Sequence, residues 1–421
     1  MLVKIEPSKL THHQIRIPSS KSLGHRAIIC ASLAKGTSIV SNVDMSKDIE
    51  ATIDCMRQLG ATIVVNHDEL QITGIEEFKD KEYFLWCNES GSTLRFMIPI
   101  ASLSNQKVYL SGTKRLLERP QEIYKQIFNE QDLIFEQLEN EIVINGSLKS
   151  HHYVIDGNVS SQFISGLLFA LPLCDNDSII EIRNEFASKS YVDLTISMLE
   201  TFGIQIEWLN HYTIKVFGNQ QYQSAKVTIE ADYSQLAFFA VLGALGQPVT
   251  CLHANKNSLQ GDKAILDILA NMGCKIVWED NGVSVTGTSL HATTIDLQNC
   301  PDLGPILFTC ASLIEGTTHF IHAKRLRIKE SDRIYAMECE LRKLGVHIES
   351  TEDEVWITGT KKWKTPCMVY GHNDHRIVMA LAIGAIVSAN GVTIDGAEAI
   401  SKSYPHFFED LEKLGVKKES V

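Results

Sequence analysis

One unit recurs six times along the 421 residues: a helix ending in a Leu-Gly-like turn, followed by two short strands that close on glycine. This repetition restricts the fold more than any other feature of the chain. IDCMRQLGATIVVNHDELQITG turns at Gly60 and closes at Gly74. TISMLETFGIQIEWLNHYTIKVFG, AILDILANMGCKIVWEDNGVSVTG and YAMECELRKLGVHIESTEDEVWITG turn at Gly203, Gly273 and Gly345 and close at Gly218, Gly287 and Gly359. A degenerate copy, IYKQIFNEQDLIFEQLENEIVING, has Asp132 at the turn and Gly146 at the close, and FFEDLEKLGVKKES runs only a little past Gly415. The six turn positions are almost evenly spaced along the chain. Glycine suits them because helices commonly end on a left-handed residue. The alternating apolar residues that follow, Ile63 and Val65 against Leu70 and Ile72 in the first copy, predict a strand pair.

Each unit carries a second helix, beginning near Lys21, Ser92, Ser161, Ser234, Asp302 and Asp374. Their bodies (RAIICASLA, LRFMIPIASL, FISGLLFALPL, LAFFAVLGAL, PILFTCASLI and IVMALAIGAIV) are apolar on every side, which predicts burial. A strand-like stretch such as TSIVSNV or VTIDGA comes after each. Helices packed under sheets give an α/β or α+β class. The sixth copy lacks its closing strands, while Met1-Leu-Val-Lys-Ile5 reads as a strand without a unit, so the N-terminus is expected to complete the last repeat. The chain then forms two similar lobes of three units, residues 13–225 and residues 1–12 with 226–421, and the cleft between them is the expected ligand site.

The formal net charge of −12 argues against nucleic acid or an anionic membrane as the main partner, so clustered cations in this chain mark specific anion sites. Ten scattered cysteines with no C-x-x-C pair read as free buried thiols in a reducing compartment, with no zinc. MLVKIEPSK does not read as a signal or transit peptide, and no uninterrupted apolar stretch is long enough to span a membrane. A cytoplasmic location is expected.

Polar residues concentrate where the apolar helices start. Pro18-Ser-Ser-Lys-Ser-Leu-Gly-His-Arg26 puts hydroxyls and two cations at the first turn of a buried helix, where orphan N–H groups and the helix dipole favour a phosphate or carboxylate. Capping alone accounts for any one such start. Six in register, with Ser90-Gly91-Ser92-Thr93, Ser160-Ser161-Gln162, Asp232-Tyr-Ser234, Pro301-Asp302 and Asn373-Asp-His-Arg376, are harder to explain that way. Further cations sit in Gly112-Thr-Lys-Arg-Leu-Leu-Glu-Arg-Pro120, Arg325-Leu-Arg-Ile-Lys-Glu-Ser-Asp-Arg333 and Ser401-Lys-Ser-Tyr-Pro405, each of which also reads as a solvated loop.

Taken together and in order, SKSLGHR, ESGSTLR, RLLERP, DGNVSSQF, SKSYVD, CPDLGP, RIKESDR, YGHNDHR and SKSYP resemble the EPSP synthase (3-phosphoshikimate 1-carboxyvinyltransferase) family over essentially the whole chain. The resemblance implies two lobes of an inside-out α/β barrel. It implies transfer of the enolpyruvyl group of phosphoenolpyruvate to the 5-hydroxyl of shikimate 3-phosphate, with loss of phosphate, on the route to chorismate and the aromatic amino acids. Neither cofactor nor metal is implied, and a monomer is expected. The phosphoenolpyruvate contacts fall on Lys21, Arg115, Arg333, Arg376 and Lys402, whose cations suit phosphate and carboxylate oxygens. The shikimate phosphate falls to Ser160, Ser161, Ser188 and Tyr191, and the carboxylate and ring hydroxyls to Ser22, Arg26, Gln162 and Lys329. Asp302 would hold the ring hydroxyls and act as base, Glu330 would shuttle the proton, and Lys21 would share in proton transfer. Gly91 would leave room for the phosphoenolpyruvate phosphate, the region where the family's inhibitor glyphosate competes.

Two positions depart from the family pattern. Glu89 stands where asparagine is more usual, and Arg325 stands where many members have asparagine near the shikimate phosphate. The sister transferase acting on UDP-N-acetylglucosamine is the nearest alternative, but it uses a cysteine in the loop that reads GTKRLLERP here. A non-catalytic binder of phosphorylated metabolites is the other, and it has no use for carboxylates such as Asp302 and Glu330 among its cations. Cations drawn from both lobes imply that the lobes close on ligand.

Overall fold

The computed structural model describes residues 1–184, 186, 189–363 and 367–420. It divides into two compact units, Ser19–Ile229 and Met1–Pro18 with Glu230–Val421. The crossing points lie a few residues from those read in the sequence, for a reason visible in the sheets. Gln14–Arg16 pairs in parallel with Val249–Leu252, so residues 13–18 stay with the C-terminal unit. Lys226–Thr228 pairs in parallel with Thr37–Ser41, so residues 226–229 stay with the N-terminal one.

The described residues form six four-stranded sheets with one plan. In the first, Lys226–Thr228 lies parallel to Thr37–Ser41, which runs antiparallel to Glu69–Thr73, itself hairpinned to Thr62–Asn66. The sixth keeps the plan with the chain's first strand: Leu2–Ile5 runs antiparallel to both Val392–Asp395 and Lys418–Ser420.

Among the described residues six buried helices lie beneath the sheets: Lys21–Leu33, Gly91–Ser102 and Ser161–Ala170 in the N-terminal unit, and Tyr233–Ala244, Gly304–Ser312 and His375–Val387 in the C-terminal one. Each unit has its own apolar core. Ile28, Phe96 and Phe163 anchor one, and Phe239, Leu307 and Ile383 the other. No helix among the described residues is long and apolar enough to cross a membrane.

The repeat has a backbone cause at two recurring places. All six turn positions are left-handed, from Asp132 at φ 56° to Gly60 at φ 123°. In the copies that close at Gly74, Gly287 and Gly359 the glycine lies against a carbonyl at the end of a buried helix: a Cβ on Gly287 would stand 1.9 Å from Ala244 O, and one on Gly359 1.8 Å from Ile314 O. Gly287→Ala should therefore destabilise the C-terminal unit by roughly 2–3 kcal/mol, the effect of overpacking at a rigid contact. Gly246→Ala, whose Cβ meets nothing within 4 Å but whose φ is 94°, should lose only about 1 kcal/mol. Denaturant unfolding of the two variants checks the order.

Candidate active site

The two units each bring candidate residues together at their helix starts. In the N-terminal unit, Ser20, Ser90 and Ser160 cap the three buried helices by accepting the N–H groups of Leu23, Thr93 and Gln162. Ser161 follows as a buried first residue. Lys21 Nζ donates to Asp48 Oδ2 at 2.8 Å, on the helix Lys47–Leu59. Arg26 is buried and braced: its Nε donates to Thr195 Oγ1, Nη1 to Ser22 O and Nη2 to Tyr191 O, all within 2.9 Å. Burial brings its guanidinium down to about 10. Gln162 is held at both ends, accepting from Arg95 Nη1 at 2.7 Å and donating to Ser92 Oγ at 3.0 Å. Ser188 lies outside the described residues.

Gly91 opens its helix without a left-handed φ, so conformation does not demand glycine there. Space does. A Cβ on it would stand 2.6 Å from Arg119 Nη1 and 3.5 Å from Gln162 Oε1. Arg119 is buried, whereas Arg115, on the short helix Lys114–Leu117, is exposed. The cation that reaches Gly91 is thus Arg119, further along the same loop. The sequence carried one usable signal: Leu116 and Leu117 must face inward, which turns Arg115 out.

In the C-terminal unit the candidates converge. Asp302 lies on the short turn Pro301–Leu303. Its Oδ1 accepts from Lys329 Nζ at 3.1 Å and Arg333 Nη1 at 2.9 Å, and its Oδ2 from Arg376 Nη2 at 3.1 Å. Arg333, 1% exposed, also donates to Glu330 Oε2 at 2.7 Å and through Nε to Asp374 Oδ2 at 2.9 Å. Asp374 in turn caps the His375 helix through Arg376 N–H and accepts from Ser331 Oγ. Arg376 also reaches Ser234 Oγ at 3.0 Å. Lys402 Nζ donates to Asn373 O at 2.5 Å, on the loop before that helix. Arg325 is half-buried, on the turn Lys324–Ile328.

Electrostatics follow from this packing. Burial alone would raise the Asp302 carboxyl, but Arg376, Lys329 and Arg333 outweigh it and hold the group well below the usual carboxylate range. Burial lowers the Lys329 ammonium despite Asp302. The Asp374 carboxyl, pushed up by burial, ends below its ordinary value because of Arg333 and His375. Asp374, Arg119, Arg95 and Asp48 are the residues that motif reading passed over. Three of them sit inside motifs already singled out, but nothing in their order marks them as buried partners.

Asp374→Asn keeps the cap and the volume while removing the charge that faces a buried arginine. We expect it to lower stability at neutral pH by roughly 3–5 kcal/mol. A depressed native carboxyl contributes stability that is complete above its unfolded value, near 3.9, and is lost as the pH falls through the native one. The gap between wild type and variant should therefore narrow below about pH 4, as denaturant titrations at neutral and acid pH would reveal.

Residues 5–411 match the family model for EPSP synthase (3-phosphoshikimate 1-carboxyvinyltransferase). A 3-phosphoshikimate 1-carboxyvinyltransferase of Clostridium perfringens is 45% identical over 417 residues, covering 98% of both chains, and one of Clostridium kluyveri is 44% identical over 415 residues, covering 98% of this chain and 97% of its own. Among solved structures, EPSP synthase from Acinetobacter baumannii superposes with a TM-score of 0.82 at 23% identity over the full length of both chains. The enolpyruvyl transferase NikO from Streptomyces tendae reaches 0.80 at 14% identity, covering 99% of this chain and 98% of its own, so its likeness is one of fold. On the family model and the close relatives, the chain belongs to the EPSP synthase (3-phosphoshikimate 1-carboxyvinyltransferase) family.

Proposed function

We propose that the protein transfers the enolpyruvyl group of phosphoenolpyruvate to the 5-hydroxyl of shikimate 3-phosphate, releasing phosphate. The observation that carries this reading beyond family membership is the ring of Lys329, Arg333 and Arg376 around Asp302, with Glu330 on the same arginine. Cations alone bind anions. Carboxylates set among them add groups that orient a hydroxyl and move a proton. With three cations on it, Asp302 is a weak base. Arrival of an anionic substrate on Arg333 and Arg376 draws those cations away and raises its basicity, so binding and activation become one event. Glu330 delivers the proton to the methylene carbon, and Lys21, with Asp48 as its resting partner, shares in that transfer. On this reading Gln162, Ser160, Ser161, Ser188, Tyr191, Ser22 and Arg26 serve shikimate 3-phosphate. Arg119, in place of Arg115, joins Lys21, Arg333, Arg376 and Lys402 on phosphoenolpyruvate. The enzyme acts as a cytoplasmic monomer.

The deciding experiment measures phosphate release from phosphoenolpyruvate with shikimate 3-phosphate and, separately, with UDP-N-acetylglucosamine. Release with the first acceptor alone is expected. Release with the second, or with neither, overturns the reading.

Asp302→Ala and Glu330→Gln should each lower turnover by roughly 10²–10⁴-fold. Arg119→Ala should instead raise the KM for phosphoenolpyruvate by about 10- to 150-fold, as a lost contact to a charged group does, while Arg115→Ala stays near wild type. Steady-state kinetics with each substrate varied separates the two classes.

Gly91→Ala tests the space beside Arg119. Because its backbone is ordinary, the melting temperature should hardly move. The added methyl displaces Arg119 and narrows the phosphate subsite. We expect the inhibition constant for glyphosate, which is bulkier there, to rise far more than the KM for phosphoenolpyruvate. Equal losses of both, or a collapsed melting temperature, would refute the pocket reading.

A further inference from the structure

A buried row of hydrogen bonds runs through the N-terminal unit. His25, in the second turn of the Lys21 helix, is fully enclosed, with Nδ1 2.7 Å from Thr52 Oγ1. Thr52 Oγ1 lies 2.7 Å from Thr93 Oγ1, and Thr93 Oγ1 lies 2.7 Å from Ser90 Oγ. Ser90 Oγ also accepts the Thr93 N–H at 3.1 Å as the cap of the Gly91 helix. The row ties together the helix that carries Lys21, the helix that carries Asp48, and the helix start at Gly91. His25 Nε2 is buried and has no hydrogen-bond partner among the described residues.

Counting protons sets the direction of the row. Each hydroxyl has one to give, so the protons run either from His25 toward Ser90 or from Ser90 toward His25. The second arrangement leaves an Nε2–H buried without an acceptor, whereas the first leaves only a lone pair. Orphaned buried N–H groups are rarer than underused acceptors. Lys21 and Arg26, the cations that with burial keep this imidazole neutral, also favour a bare nitrogen over an N–H. The other acceptor open to Thr93 Oγ1, Asp48 O at 3.5 Å, is too distant to compete.

We infer that His25 is a positioning residue in its Nδ1–H tautomer, and that the row His25–Thr52–Thr93–Ser90 leaves the Ser90 hydroxyl, which already accepts twice, with its own proton to give to the anion bound at the start of the Gly91 helix. The inference rests on the assignment of that helix start to phosphoenolpyruvate. It makes Ser90 a donor whose direction is fixed two helices away, and it gives a role to a fully buried histidine between Lys21 and Arg26.

One test needs no substrate. In ¹⁵N NMR of histidine-labelled protein, His25 shows a protonated Nδ1 and a bare Nε2. Thr93→Val, which keeps the shape and removes the hydroxyl, cuts the row beyond Thr52 and leaves that tautomer in place, because a proton on Nε2 still meets no acceptor among the described residues. Thr93→Ser keeps the wild-type pattern. A second test is kinetic. Thr93→Val raises the KM for phosphoenolpyruvate about 5- to 20-fold, with turnover and the KM for shikimate 3-phosphate within twofold, and Thr93→Ser restores it. His25→Asn adds nothing further in the Thr93→Val background, the non-additivity expected of one connected row. If Thr93→Val does not fold, Thr52→Val with Thr52→Ser as its rescue tests the same row. An Nε2–H tautomer in the wild type, an unchanged phosphoenolpyruvate KM in the valine variant, or a parallel rise of both KM values overturns the inference. A wild type with the expected tautomer pattern that releases no phosphate from phosphoenolpyruvate supports the row and overturns the functional assignment instead.

Discussion

A helix buried on every side has its first backbone N–H groups where water does not reach, and they must be met from within the protein or by a ligand. Six such helices stand among the described residues, and polar residues gather at their starts. Ser20, Ser90, Ser160, Asp232 and Asp374 each accept one or more of those N–H groups. The Gly304 helix has no side-chain cap, and the turn leading into it carries Asp302. The same constraint that makes the helix bodies apolar thus makes their starts a set of hydroxyls, carboxylates and cations at the places where a dipole already favours an anion.

Charge in the C-terminal cluster is balanced without a ligand. Lys329, Arg333 and Arg376 face Asp302, Glu330 and Asp374. The cost of enclosing the charge of Arg333 is offset by the three carboxylates that meet it. A doubly or triply charged substrate entering that balance competes with the carboxylates for the same guanidinium groups. The carboxylates it displaces become better bases. Asp374 is the fixed point: wholly enclosed and committed to the helix cap, it keeps Arg333 in place whatever happens at Asp302.

The repeat was legible because its causes are local. The left-handed turn residue is a property of a few adjacent residues, and it returns with each unit. The caps were legible for the same reason. Arg115 and Arg119 were not separable by composition, since both are cations in one loop. The apolar pair Leu116 and Leu117 between them was the one local signal, and its burial sets their directions. The crossing points shifted for a comparable reason: Gln14–Arg16 and Lys226–Thr228 are short edge strands, too brief to carry a pattern, and their parallel partners lie far away in sequence. Partnerships such as Asp374 with Arg333 join separate motifs and leave no periodic trace.

The pairing of Leu2–Ile5 with Val392–Asp395 also orders events during synthesis. Leu2–Ile5 is made well before Val392–Asp395 and must wait for it, while the N-terminal unit, continuous from Ser19 to Ile229, is made before that partner. Closing a loop nearly as long as the chain, rather than one about a tenth of that length, adds only about 2 kcal/mol of entropy, so the delay is one of time and not of final stability. Until then Val3 and Ile5, buried in the finished protein, remain uncovered on an unpaired strand. The early chain is therefore the part most open to wrong strand pairing or capture by a chaperone.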